Sequence, residues 1–249
     1  MNYDKKFISD SIRKLGAKYG THEAFKDVVI CIAYSFANAT YFKEEREKEY
    51  LRIINKYSKE EQQLFPQILT ALVNEYTKST EPIDILGDIY ENLNLIKKDS
   101  SQFFTPLEIC DLIARVTTTK DDTENTIKEK GYIVISDPTC GSGKILYAAY
   151  NELLDKKVPN NKILLQGDDL DLTCCCMTYI QLSLMGANAV IHHQNTLTMD
   201  RYDTFYTVSF FMNKELQEKM RDNNKDVEEG VEIWIIYIKI ILKKFIRLM

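Results

Sequence analysis

The residues Ser136-Asp137-Pro138-Thr139-Cys140-Gly141-Ser142-Gly143 set a carboxylate beside glycines at alternate positions. The apolar run Tyr132 to Ile135 before them reads as a buried strand, and Ile145 to Leu154 after them reads as a helix. Strand, acidic residue, glycine turn and helix is the order by which α/β proteins bring backbone close to a nucleotide-like ligand. Gly141 and Gly143 have no Cβ and can take positive φ, so such a turn can pass under a ligand. The helix start offers free N–H groups to an anion, and Asp137 can accept from an ammonium or a hydroxyl. That donor and acceptor set suits S-adenosylmethionine, whose methionine end carries both an amino group and a carboxylate. A phosphate-binding loop is the competing reading of Gly143-Lys144. It is set aside because Pro138 stands where the first glycine should be, and Ile145 where a magnesium-binding hydroxyl should be.

Three further segments share this chemistry. Upstream lies Ser101-Gln102-Phe103-Phe104-Thr105-Pro106, followed by an amphipathic stretch, Leu107 to Val116. Downstream, an apolar strand, Ile163 to Leu165, ends in Gly167-Asp168-Asp169-Leu170-Asp171 and passes into a helix reaching Gly186. A third strand, Ala189 to Ile191, leads into Asn195-Thr196-Leu197. In this order and spacing, over roughly residues 80 to 200, the chain resembles the adenine-N6 DNA methyltransferases of type I restriction-modification systems, the modification subunits. That family shows a segment ending F-(Y/F)-T-P, then D-P-x-x-G-S-G, an acidic strand end and an (N/D)-(S/T)-L turn.

The resemblance implies roles for particular residues. Phe103, Phe104, Thr105 and Pro106 would close over the methionine half of the cofactor, with Thr105 also capping the helix that follows. Asp137, Pro138, Gly141, Ser142 and Gly143 would form the cofactor loop. Asp169 would accept the ribose hydroxyls, a task that dinucleotide-binding folds also give to a carboxylate. Asp168 and Asp171 stand close enough to compete for it, and Asp171 is the better candidate for a helix cap. Asn195 would face the adenine ring of the cofactor, against the plainer reading of a turn asparagine. Lys144 replaces the glycine common in the family and brings a cation to the pocket mouth. His192 and His193 carry no partner pattern.

The catalytic element departs from the family. The exocyclic amine of adenine is a poor nucleophile, and the family grips it with (N/D)-P-P-(Y/F/W), whose acceptors hold both N–H bonds while an aromatic ring stacks on the flipped base. Shortly after Tyr202-Asp203 the chain reads Thr204-Phe205-Tyr206-Thr207-Val208-Ser209-Phe210-Phe211-Met212-Asn213, and no proline follows Pro159. Asn213 lacks the prolines and stands too far along to substitute. No catalytic residue is therefore assigned, and methyl transfer by the lone chain is expected to be weak or absent.

The elements that must position these residues form two blocks. From Lys5 to about Leu95 the pattern is helical, with Phe25, Val28, Val29, Ile32, Ala33 and Phe36 at helical spacing. One helix is expected over Lys59 to Tyr76 and another over Ile83 to Leu95, after Glu81-Pro82. The charged run Glu44 to Arg52 reads as a solvated helix face. From about Ser100 helices and strands alternate as a parallel sheet requires, with a polar loop expected over Thr117 to Lys130. The expected organisation is a helical N-terminal domain (1–98), an α/β Rossmann-like methyltransferase domain with fewer strands than the family's usual seven (99–213), and a C-terminal helix with an Ile/Lys-rich tail (214–249). For Val231 to Met249 three readings stay open: a last element of the fold, an interfacial segment, or the abnormal end of a truncated reading frame.

At 249 residues, 45% of them hydrophobic, the chain is an ordered globular protein. Its net charge of −5 gives no general polyanion-binding field, so DNA contact would come through a local patch or a partner specificity subunit. Six cysteines without a CxxC pair read as buried hydrophobes in a reducing cytoplasm, with no metal site. The polar, charged N-terminus shows no leader, and lysines in the tail argue against stable membrane insertion. The function expected is that of a cofactor-binding adenine-N6 DNA methyltransferase, completed by a complementing subunit if active. The alternatives are an inactive cofactor-binding scaffold and a protein-binding module with a purely structural Rossmann part.

Overall fold

The computed structural model describes residues 3–78, 83–95 and 105–223. Phe103, Phe104, Pro82 and the tail from 231 onward lie outside the described residues.

The first block is helical: α1 (Tyr3–Tyr19), α2 (Thr21–Thr40), α3 (Glu44–Ile54), α4 (Lys59–Gln62), α5 (Leu64–Lys78) and α6 (Ile85–Asn92). The helix expected over Lys59 to Tyr76 is two. Ser58 and Glu61 form a capping box that starts α4. Pro66 has no N–H to give and is tolerated only in a first turn, which suits a fresh start at Leu64. The charged run does form α3, but Arg46 within it is only 3% exposed. Its guanidinium crosses to Asp203 (Nε–Oδ2 2.8 Å, Nη2–Oδ1 2.8 Å) and to the Thr204 carbonyl at 2.6 Å. One residue of the supposed solvated face is thus a buried clamp between blocks.

The second block contains α7 (Leu107–Thr117), α8 (Lys120–Lys130), β1 (Ile133–Asp137), α9 (Lys144–Asp155), β2 (Ile163–Asp169), α10 (Leu172–Leu184), β3 (Ala189–Asn195), β4 (Asp200–Tyr206), α11 (Val208–Met212) and α12 (Lys214–Asn223). The polar loop expected over Thr117 to Lys130 is largely α8. Hydrophobic periodicity missed it because only Thr123 is buried. Its end signals are nonetheless strong: Thr119 accepts from Asp122 N, acidic residues fill the first turn, lysines the last, and Gly131 closes it at φ 82°.

The strands lie in the order β1-β2-β3-β4. β1 to β3 are parallel and linked by α9 and α10, whereas β4 runs antiparallel to β3. Residues 196–199 are too few for a crossover, so the chain can only turn back as a hairpin. One face of the sheet, with Ile133, Leu165, Ile191 and Phe205, packs on α9 and α10 in a core that runs unbroken to Ile8 and Phe25 of the helical block. The lower part of the other face, with Leu164 and Val190, is covered by Phe210 and Leu216 of α11 and α12. α10 is buried on nearly every side because α2 packs against it opposite the sheet. Cys174, Cys175 and Cys176 are consequently all buried and free, like the other three cysteines. Among the described residues no helix is long and apolar enough to cross a membrane, and no cluster of His, Cys, Asp and Glu is arranged to hold a metal.

Candidate functional site

The parallel strands deliver their carboxyl ends to one edge, and the sequence-predicted loop residues gather there. Asp137 ends β1 and is 6% exposed; Oδ1 accepts from Thr139 N at 3.0 Å, and Oδ2 has no partner among the described residues. Pro138 and Thr139 lead into a tight turn in which Gly143 N donates to the Cys140 carbonyl at 2.7 Å. Gly141 and Gly143 sit at φ 55° and 97°. At Gly143 the requirement is doubled, since a Cβ there would stand 2.6 Å from the Tyr147 hydroxyl. No side chain caps α9, so its first N–H groups face the edge of the sheet.

The turn rests on the end of β2. Cys140 N donates to the Asp168 carbonyl at 2.9 Å, and Gly141 N donates to Asp169 Oδ2 at 2.9 Å. Asp169 Oδ1 meanwhile accepts from Asp171 N at 2.8 Å. One carboxylate therefore joins the turn to the strand end, and each of its oxygens keeps a lone pair for a further donor. Asp171 takes the separate task of capping α10 through Thr173 N at 2.7 Å. Burial pushes the carboxyls of Asp137 and Asp169 above the ordinary carboxylate range, opposed in each case by the backbone N–H groups they accept from. Burial does the same to Asp168, where the nearby Arg201 cation opposes it.

The remaining predicted residues fall as follows. Thr105 does not cap α7; Pro106 is the N-cap, and no side chain bonds there. α7 runs beside α9 in the same direction, with Cys110 against Ile145, Ala148 and Ala149 and Thr118 at Lys156. Thr105 and Pro106 consequently reach the end of α9 that carries the glycine turn. Ser142 is buried, and its hydroxyl donates inward to Asp84 Oδ2. Asn195 uses Oδ1 to accept from Leu197 N at 3.0 Å and Thr198 N at 3.3 Å, which is turn chemistry. Its neighbour Thr196 donates to the Pro138 carbonyl at 2.8 Å and ties the β3 turn to the β1 turn. Lys144 turns away from the edge toward Glu91 (3.2 Å) and Asp84 (3.6 Å). The cation expected at the pocket mouth is thereby balanced by two carboxylates.

Sequence reasoning missed the residues that hold this turn from within. Thr178 donates to the Gly141 carbonyl at 2.9 Å, Gln181 to the Ser142 carbonyl at 3.0 Å, and Tyr147 to the same carbonyl. The signal was present: Gln181 is a fully buried amide between Ile180 and Leu182, and buried amides need partners.

The segment after β4 lies elsewhere. Because β4 is antiparallel, its end pairs with the start of β3, Tyr206 opposite Val190. Thr207 then donates to the Ala187 carbonyl at 2.7 Å and caps α11. Asn213 donates to the Asn161 carbonyl at 2.9 Å. The stretch Tyr206 to Asn213 thus sits at the opposite edge of the sheet from the glycine turn, a strand's length or about 20 Å away. A cleft of about 330 Å³ lined by Asp4, Phe7, Gln67, Thr70, Ala71 and Asn74 lies in the helical block and touches none of these groups.

The profile of the N-6 DNA Methylase family matches residues 81–229, more than half of the chain and the whole of the edge just described. The chain belongs to this N-6 DNA methylase family. Among its relatives is the type I restriction enzyme MpnII methylase subunit of Mycoplasma pneumoniae, 29% identical over 152 residues, or 58% of this chain and 26% of that protein. Another is the MjaVIII methylase subunit of Methanocaldococcus jannaschii, 29% identical over 148 residues, or 55% of this chain and 23% of that protein. The chain spans about a quarter of the length of these curated relatives. Two solved structures overlap it in part. One is a class I S-adenosylmethionine-dependent methyltransferase from Listeria monocytogenes (TM-score 0.44, 19% identity, 79% of this chain and 55% of that one). The other is a type I restriction-modification methyltransferase subunit from Streptococcus thermophilus (TM-score 0.40, 15% identity, 78% and 58%). The α/β assignment rests on the strand order and the two βαβ units themselves.

Proposed function

We propose that this N-6 DNA methylase chain binds S-adenosylmethionine at the carboxyl edge of its sheet and serves adenine-N6 methylation of DNA as the cofactor-holding part of the enzyme. One observation carries the reading: a free carboxylate oxygen on Asp137, two left-handed glycines and an uncapped helix start converge on one edge. In this proposal Asp137 Oδ2 accepts from the ammonium of the cofactor, the α9 N–H groups receive its carboxylate, and Asp169 accepts the ribose hydroxyls. Pro138, Thr105, Pro106, Phe103, Phe104 and Asn195 complete the binding surface, and Ser142 supports it from beneath. When bound, the cofactor supplies an electrophilic methyl group on a sulfonium, a cation suited to an edge with three aspartates. DNA recognition is assigned to a partner specificity subunit, and grip on the target amine to a complementing methyltransferase subunit. The domain limits 1–98, 99–213 and 214–249 and a cytoplasmic location belong to the same proposal.

A second reading, an inactive cofactor-binding scaffold, is favoured by the position of the Tyr206 to Asn213 stretch at the far edge of the sheet. Calorimetric titration with S-adenosylmethionine tests the shared part. The wild type should bind, and Gly141→Val, which forces a branched residue into a left-handed turn, should not. Equal affinity in both would make the turn structural only. Tritiated methyl transfer to unmethylated DNA then separates the readings. The lone chain should be weak or silent, and incorporation after adding its genomic neighbours should support a split enzyme. Robust transfer by the lone chain would overturn the assignment of the amine grip to another subunit.

A further inference from the structure

Asp84 stands just before α6 in the helical block, far in sequence from the glycine turn, and its carboxylate is buried. Three hydrogen-bond donors and one cation meet it. Oδ1 accepts from Gly87 N at 2.9 Å and Gln181 Nε2 at 3.0 Å. Oδ2 accepts from the Ser142 hydroxyl at 2.5 Å and lies 3.6 Å from Lys144 Nζ. Gln181 extends the network: its Oε1 accepts from the Tyr76 hydroxyl at 2.6 Å and Leu86 N at 2.9 Å, and its Nε2 also lies 2.7 Å from the Tyr147 hydroxyl. Capping α6 needs only one acceptor, which a neutral side chain could supply without burying a charge. The rest of the carboxylate is directed at Ser142. That residue lies between the two left-handed glycines, with its hydroxyl held by Asp84 and its carbonyl by Gln181 and Tyr147. Gly87 makes the arrangement possible, since a Cβ there would stand 2.0 Å from Asp84 Oδ2.

We propose that Asp84 is a positioning residue for the cofactor turn: through the Ser142 hydroxyl it sets the Gly141–Gly143 backbone, so that the seating of the helical block determines cofactor affinity. The proposal rests on the cofactor reading above and deepens it. The bonds from Gly87 N and Gln181 hold the carboxylate itself in place, and the charge-assisted bond from the Ser142 hydroxyl, with the Lys144 ion pair, must break for the turn to move. Buried polar networks of this kind act as units, and their members show non-additive effects.

The test uses the full chain, with Asp84→Asn, Ser142→Ala and the double variant. S-adenosylmethionine affinity is measured by calorimetry, and hydrogen exchange of the 139–144 segment is followed without cofactor. Asp84→Asn should weaken binding about tenfold and raise exchange in the turn at least several-fold, with protection in β2 and α10 unchanged. In the Ser142→Ala background it should weaken binding no further. If Asp84→Asn does not fold, Ser142→Ala alone still reads the same bond and should show both effects. Affinity within twofold of wild type together with unchanged turn exchange would reduce Asp84 to a helix cap and overturn the proposal. So would fully additive losses. A wild type that fails to bind the cofactor would sink the cofactor reading instead. The exchange measurement would then still decide whether Asp84 holds the turn.

Discussion

Replacing Asp169 by Asn removes a charge from the joint between the glycine turn and β2 while keeping its shape. In the wild type one oxygen accepts from Gly141 N at 2.9 Å and the other from Asp171 N at 2.8 Å. An asparagine can satisfy only one of these; its amide must face the other N–H, donor against donor. Losing a hydrogen bond to a charged group costs about 1.5–3 kcal/mol, so cofactor affinity should fall by roughly ten- to 150-fold. Asp171→Ala is the control two residues away. It removes the α10 cap, which costs about 1 kcal/mol of stability, and should leave affinity within about threefold. Calorimetry with S-adenosylmethionine and urea unfolding on both variants separate the two effects. Acidification should mimic the loss. Burial holds the free Asp137 and Asp169 carboxyls above their ordinary value of 3.8, so cofactor affinity should begin to fall at a higher pH than ordinary carboxylates would give. A larger affinity loss in Asp171→Ala than in Asp169→Asn would refute the assignment of the ribose carboxylate and shift it two residues along.

Two further outcomes are expected. Asp203→Ala strands the Arg46 guanidinium, only 3% exposed, and should lower unfolding stability in urea by about 3–5 kcal/mol. Burial alone would raise the Asp203 carboxyl, but Arg46 and Lys43 outweigh it and hold it below its ordinary value. Its contribution is therefore complete at neutral pH and lost only below the ordinary carboxylate range. His192 is buried, with Nδ1 3.0 Å from Thr204 Oγ1, and burial followed by the nearby Arg201 cation pushes its pKa down to about 4. The unfolded chain takes up that proton near 6.5, so stability should fall as pH drops from 6.5 toward 4, by at most roughly 3 kcal/mol. His192→Asn should flatten that slope in a series of urea titrations, and an unchanged slope would assign it to other groups.

Much of the candidate site was legible because its chemistry is local. A left-handed backbone needs glycine, a strand must precede the turn and a helix follow it, and all three conditions lie within some twenty contiguous residues. Asp171 as a cap was readable for the same reason, since it bonds only two residues ahead. α8 was legible in principle, through Thr119 and Gly131 at its ends. Hydrophobic periodicity is blind to a helix that buries one threonine.

What only the tertiary structure decided lies in bonds between distant residues. Nothing near Asp84 in sequence says that its carboxylate will meet Ser142, 58 residues away, and nothing near Arg46 points to Asp203. Ser142 reads locally as a ligand contact and is in fact turned inward. Asn195 reads as facing a ring and spends its oxygen on its own turn. The short connection after β3 sends β4 back, which carries the Tyr206 to Asn213 stretch away from the turn. Residue types and spacing over a few positions determine which backbone shapes a segment can adopt. Which buried polar group satisfies which depends on how the helical block docks against the sheet, and that is settled only when the whole core closes.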